Sequence, residues 1–306
     1  MEKNSSLKVV RSQIISCSRR TDVPAFYMNR LEKAIEEENI EVRNPFNNKI
    51  SRVSLKPQDV AGFVLWSKNF KNFLKKWSIF EKYRAKNTLI SNNKIPVYFH
   101  FTRNSIVKIL EPLSPSLEES FSQLEELVKL TSPTHIMWRF DPIVFWKEDG
   151  VLNNNIKDFK EIASHFSDAG VKRCTFSFTS YYRKVERRMK KYSFDYYKPN
   201  LTEMIKTTNK LKEIASKYNI KLYACCNPNL LKIPQIFQAH CIDAPYLSKL
   251  WNVKLSLAKD SGQRKACGCN KSRDIGGYGK KWKCHHGCLY CYANPNNEIY
   301  EKAFFK

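Results

Sequence analysis

PVYFHFTRNSIVKILEPLSPSLEESFSQLEELVKLTSPTHIMWRF, Pro96 to Phe140, contains one complete cycle of the pattern that sets the fold. Its two ends, Pro96–Thr102 and His135–Phe140, are short runs rich in β-branched and aromatic residues, the composition of strands. Between them, Ser116 and Glu119 have the spacing of a capping box, and Leu117, Phe121, Leu124 and Val128 return at helical intervals. A strand, a helix and a second strand in that order predict two parallel strands joined by a helical crossover.

Outward from this unit the cycle repeats. Further strand runs are Val9–Ser16, Val60–Trp66, Cys174–Phe178 and Ile220–Cys225. Amphipathic helices are expected over Pro24–Glu38, with Tyr27, Leu31 and Ile35 on one face, and around Phe73, Trp77 and Phe80. Two more carry Ile156, Phe159, Ala163 and Phe166, ending at Gly170, and Met204, Ile205, Leu211, Ile214 and Ala215, ending before Asn219. Six such units suit an open doubly wound sheet or a partial barrel related to the eight-stranded one. Polar residues follow nearly every strand, as in Ser18–Asp22, Ser67–Asn69, Thr102–Arg103, Arg139, Asp141, Thr179–Ser180 and Asn227, and this favours the barrel. A barrel gathers all strand ends on one face, whereas an open sheet gathers only those at its switch point. The expected architecture is therefore a partial (βα)6 TIM-like barrel over residues 1–226, with a cysteine-rich tail, residues 227–306, docked on it.

Lys and Arg number 53 against 29 Asp and Glu, a net charge of +24 that suits nucleic acid or another polyanion. The basic residues run along the whole chain, so a composition bias accounts for the same number. With 42% hydrophobic residues the chain has ample material for a core. No stretch has the apolar length of a membrane span and the N-terminus lacks the form of a signal peptide, so a cytoplasmic protein without membrane contact is expected. Ten cysteines in such a chain point to metal or redox chemistry before disulfides.

The tail carries the strongest chemical signal. Cys284, Cys288 and Cys291 are spaced C-x-x-x-C-x-x-C, with Tyr290 directly before the third. Three thiolates so close can hold three irons of a four-iron four-sulfur cluster and leave the fourth iron open to another ligand. The spacing and the aromatic are those of radical S-adenosylmethionine enzymes, in which the cofactor carries the hard chemistry. A zinc site is the alternative, since His285, His286 and the same cysteines offer enough ligands for a tetrahedral ion, although Cys267 and Cys269 bring the thiols to five, one more than a single closed zinc site needs.

The segments ISCSRRTDVPAFY (Ile15–Tyr27), VLWSKNF (Val64–Phe70), FHFT (Phe99–Thr102), WRFDPI (Trp138–Ile143) and QRKACGCNKSRDIGGYGKKWKCHHGCLYCYAN (Gln263–Asn294) resemble the bacterial domain-of-unknown-function family 1848. That resemblance covers nearly the whole chain and implies an iron-sulfur site with no assigned activity. Two features depart from ordinary radical S-adenosylmethionine enzymes. Their cluster loop follows the first strand, whereas here it lies near the C-terminus, and no Gly-Gly-Glu type segment is present to hold the cofactor's amino group. The tail would have to fold back over the strand ends.

Among the remaining residues, Asp22 before Pro24 suits a helix cap, and Arg19 or Arg20 a carboxylate or phosphate contact. Arg139 and Asp141 read either as a buried ion pair or as a cofactor contact. His100 reads as a structural histidine or a proton carrier facing the barrel interior. Cys225, Cys226 and Cys241 read as core thiols or as ligands of a second cluster with Cys267 and Cys269. Tyr181, Tyr182, Arg183, Arg187, Arg188, Lys190 and Lys191 interleave aromatics and cations, as a nucleic-acid surface or a solvated helix would.

The expected function is that of a radical S-adenosylmethionine-like enzyme of unassigned reaction. Cys284, Cys288 and Cys291 hold the cluster, and Tyr290, Arg19, Arg139 and Asp141 stand at the cofactor. Its partners would be S-adenosylmethionine, an electron donor and a nucleic acid or nucleotide. The alternatives are a zinc-stabilised nucleic-acid-binding protein without activity and an iron-sulfur electron-transfer protein.

Overall fold

The computed structural model describes residues 13–44, 47–86, 95–260 and 262–305, so the first four residues of the Val9–Ser16 run lie outside the described part. In chain order the first elements are β1 (Gln13–Cys17), α1 (Val23–Phe26), α2 (Met28–Glu36), β2 (Asn39–Arg43), β3 (Ile50–Ser54), β4 (Val60–Ser67), α3 (Lys71–Lys75), α4 (Glu81–Lys86), β5 (Val97–Thr102) and α5 (Leu117–Leu130). There follow β6 (Ile136–Ile143), β7 (Phe145–Glu148), β8 (Val151–Asn154), α6 (Phe159–Asp168), β9 (Arg173–Phe178), α7 (Arg183–Lys191), β10 (Tyr196–Tyr197), α8 (Leu201–Lys217) and β11 (Lys221–Ala224). The tail adds β12 (Ile236–Gln238), α9 (Ala244–Trp251), β13 (Arg273–Asp274) and α10 (Asn297–Phe304).

Eight strands form one sheet in the order β12-β11-β9-β6-β5-β4-β1-β13, and every neighbouring pair is parallel. The protein is thus α/β with a large parallel sheet. Six strands are those the alternation predicts, and the tail supplies the two edges. Among the described residues no pairing joins β12 to β13, so the sheet does not close.

Alternation along VYFHFT separates the two faces. Val97, Phe99 and Phe101 join the larger core, where Leu31, Phe73, Leu124, Phe159 and Leu211 bring in the crossover helices. Tyr98 lies in the second core with Ile14, Val64 and Met137, covered by Leu247 and Trp251 of α9. The Trp251 ring lies so close to Gly62 that a Cβ there would approach it to 2.7 Å, so β4 needs glycine at this crossing.

Both long helices with capping boxes form as local chemistry dictates: Ser116 and Glu119 cap α5, and Asn200 and Glu203 cap α8. Two expected helices are broken instead. Pro24–Glu38 splits at Tyr27, whose backbone leaves the helical region (φ −128°) while its hydroxyl donates to the Lys283 carbonyl at 2.7 Å. A tertiary contact with the tail accompanies the break. The Phe73–Phe80 stripe becomes α3, a 3-10 turn over Trp77–Phe80 and then α4. The hairpin β7–β8 was not foreseen, although Asp149-Gly150, with φ of 50° and 76°, is the residue pair that a tight hairpin turn favours. Among the described residues no helix is long and apolar enough to cross a membrane.

Candidate active site

Residues in the C-terminal halves of β1, β4, β5, β6, β9 and β11, or just beyond them, converge on a cavity of about 860 Å³ that the tail also lines. Parallel strands all end at the same side of a sheet, and ligands bind there because loops, not regular structure, shape that rim. Arg19, Arg139 and Asp141 line the cavity together with Cys284, Cys288, Tyr290 and Cys291. All seven of the principal site residues proposed from sequence therefore share one space, although the first and last are some 270 positions apart in the chain.

The strand-end residues tie the tail down. The Arg19 backbone N–H donates to Asp274 Oδ2 at 2.8 Å and its Nη2 to Asp260 at 2.9 Å, while Ser16 Oγ also donates to Asp274 at 2.9 Å. Arg19 Nη1 is buried with no partner in the protein. Asp22 is the N-cap of α1, accepting from Ala25 N at 3.0 Å, and it also accepts from Ser67 Oγ at 2.8 Å and Lys68 N at 3.1 Å. His286 Nε2 meets the same carboxylate at 2.9 Å and its Nδ1 faces the Leu113 carbonyl. Both ring nitrogens of His286 thus face oxygen partners, one of them the helix-capping carboxylate. Arg139 and Asp141 form an ion pair, and Ser177 Oγ donates to Asp141.

The C-x-x-x-C-x-x-C loop is anchored by a buried cation. Arg188 Nη1 donates to the carbonyls of Leu289 at 2.8 Å and Cys291 at 2.7 Å. Sequence reading placed Arg188 in a surface stripe; on α7 it is buried, while Arg183, Arg187 and Lys190 of the same helix are exposed. Behind the loop, the Tyr290 hydroxyl donates to Glu111, which also accepts from Lys68 Nζ at 3.0 Å and Asn104 Nδ2 at 2.7 Å. Burial pushes the Glu111 carboxyl up, but the Lys68 ammonium and these donors outweigh it and hold the group at about 2. Burial raises the thiols of Cys284 and Cys288. Glu111 and Asn104 carried no sequence signal, since neither lies in a motif.

A second group of cysteines stands on the same wall. Cys225, Cys226 and Cys241 line the cavity beside Cys267 and Cys269. Cys267 and Cys269 stand beside Cys226 and Cys241 on this wall, and the Cys241 N–H donates to Cys269 Sγ at 3.1 Å. Arg139 Nη1 donates to Cys241 Sγ at 3.1 Å, and the Cys241 thiol is lowered by hydrogen bonds from Cys225 and Cys269 and by the Arg139 charge against the opposing effect of burial. His100 is fully buried and is not on the cavity wall; its Nε2 donates to the Cys241 carbonyl at 2.7 Å, and its ring stacks on Trp66. Burial first, and then the Arg139 charge, lower its pKa to about 4, so the ring is neutral at pH 7.

Among the described residues no three His, Cys, Asp or Glu side chains are gathered closely enough to hold a single metal ion. A four-iron cluster is wider than one ion and spaces its ligands accordingly, and the all-sulfur donor set of the loop suits it. The chain belongs to the family described as a domain of unknown function, DUF1848, whose model matches residues 14–293. No curated protein matches it.

Proposed function

We propose that this DUF1848 protein is an iron-sulfur enzyme of the radical S-adenosylmethionine type. Cys284, Cys288 and Cys291 would hold a four-iron four-sulfur cluster, and Arg19, Arg139, Asp141 and Tyr290 would stand at the cofactor. The observation that carries this reading is that the three loop thiols and the strand-end residues face one cavity of about 860 Å³, large enough for a cofactor and a substrate. Bound there, the cluster would supply an electron, drawn from a separate donor, to cleave S-adenosylmethionine reductively.

The chain's own residues support the roles assigned to them. Arg188 fixes the loop through two backbone carbonyls and makes no bond to its thiols. Arg19 offers an unpartnered N–H group suited to a carboxylate. Arg20, Lys68 and Arg264 add positive charge to the wall, which favours an anionic substrate such as a nucleotide. We read the sequential order of the strands, with β13 beside β1, as a barrel opened between β12 and β13.

Anaerobic purification with iron, sulfide and zinc analysis, followed by reduction in the presence of S-adenosylmethionine, tests the proposal. Iron, sulfide and 5'-deoxyadenosine are expected. Iron without cofactor cleavage would leave the electron-transfer reading, and zinc in the loop without iron would sink the enzyme reading.

A further inference from the structure

The cavity wall carries five cysteines that the proposed cluster does not use, and they come from segments far apart in the chain. Cys225 and Cys226 follow β11, Cys241 lies between β12 and α9, and Cys267 and Cys269 lie between α9 and β13. Their sulfurs form a closed ring of neighbours. Cys225 Sγ is 3.8 Å from Cys226 Sγ and the Cys241 N–H donates to Cys269 Sγ at 3.1 Å, while Cys226 and Cys267, Cys267 and Cys269, and Cys241 and Cys225 stand close enough to shift one another's protonation. We propose that these five thiols form a second metal centre, bound through thiolates and separate from the Cys284–Cys291 loop.

Three features of the backbone and its surroundings support this assignment. Successive residues of an extended chain point to opposite sides, yet both sulfurs of the adjacent pair join the ring. Cys226 achieves this with a left-handed backbone, φ 54°, a conformation that non-glycine residues adopt uncommonly and that marks functional positions. Gly268, between Cys267 and Cys269, passes so close to His240 that a Cβ would stand 2.6 Å from the imidazole, so glycine lets this C-x-C turn pack against His240 without displacing it. Donors also converge on sulfur: Cys241 N–H points at Cys269 Sγ at 3.1 Å, and Arg139 Nη1 points at Cys241 Sγ at 3.1 Å. Such donors stabilise anionic sulfur and are the outer partners that thiolate metal sites use.

An all-sulfur ligand set selects thiolate-seeking metals, namely zinc or the iron of an iron-sulfur cluster. Sulfurs 2.3 Å from a tetrahedral zinc stand about 3.8 Å apart, the separation of the adjacent pair. No three of the thiols converge on a single point as they stand, so binding would turn some of their side chains inward. The inference is independent of the proposed function in its ligands, because no cysteine belongs to both groups, while Arg139 borders both.

The test is the metal content of full-length protein purified anaerobically, compared with Cys284→Ala/Cys288→Ala/Cys291→Ala and with Cys225→Ala/Cys241→Ala/Cys269→Ala. The first variant should keep iron with sulfide, or zinc, and the second should lose that share; sulfide distinguishes a cluster from a zinc ion. A first variant with wild-type circular dichroism and neither metal would overturn the proposal. Loss of metal from the second variant alone, with none lost from the first, would sink the enzyme reading and leave the second centre standing. Should either variant not fold, iodoacetamide labelling of wild-type protein decides: labelling of the five ring cysteines should rise by about tenfold after a chelator strips the metal. Equal rates before and after chelation would overturn the proposal.

Discussion

The two cysteine groups on the cavity wall are held by opposite means. The loop thiols Cys284, Cys288 and Cys291 lie within one short stretch of chain, and the protein secures that stretch from outside, through the Arg188 guanidinium on its carbonyls and Tyr290 on Glu111. The thiols of the second group come from three segments and are secured by their contact with one another and with Arg139. Clustering in sequence needs only a clamp, whereas clustering in space needs the whole sheet edge to be built first. The second core, α9 on the face of β1, β4, β5 and β6, does that building.

This contrast can be broken from either side. The largest effect is expected for Trp251→Ala, which removes a ring 2% exposed from the second core and should cost roughly 3–5 kcal/mol in urea denaturation. Labelling of Cys241 and Cys269 should rise in that variant before labelling of Cys288; the reverse order would contradict the division drawn here. Arg188→Ala strands one buried and one half-buried carbonyl and should cost about 3 kcal/mol, with accelerated labelling confined to Cys288 and Cys291. Uniform acceleration across both groups would show that Arg188 serves the fold at large.

A pH titration sharpens the same comparison. His100, beneath the second group, has a folded pKa lowered from 6.5 to about 4. The unfolded chain therefore takes up a proton that the folded chain refuses, so stability is full above pH 6.5 and declines as pH falls toward 4, by up to roughly 3 kcal/mol. His100→Gln should flatten that decline, and an unchanged slope would remove His100 as its source. The smallest effect belongs to Ser116→Ala, which deletes the α5 cap far from either group: a loss of about 1 kcal/mol and no change in the labelling of any cavity cysteine. A labelling change there would mean that general loosening, not local anchoring, governs thiol access.

Much of the framework was legible residue by residue. The alternation in VYFHFT separates helix-facing Phe99 from Tyr98 on the other face, and Ser116 and Glu119 mark where α5 starts. Asp22 was readable as a cap because an acidic residue before proline needs only the adjacent N–H groups. The edge strands were not readable: β12 has three residues and β13 two, too short for any period to register. Arg188 misled because a helix of cations looks solvated wherever it lies, and only the packing of the tail against α7 buries one of them. Glu111 was silent for a related reason, since its environment is made by Lys68 and Tyr290 from distant parts of the chain.

Strand runs, helix caps and the spacing of Cys284, Cys288 and Cys291 are local properties, fixed by the covalent order and by interactions within a few residues. The company each cysteine keeps is not. Cys241 meets Cys269 across 28 residues, and Arg19 reaches Asp260 across 241, and such pairings exist only once the sheet has put their segments side by side. Propensity and periodicity act over one or two turns of chain, whereas the partition of eight cavity cysteines into a loop and a ring follows from which strand lies at which edge.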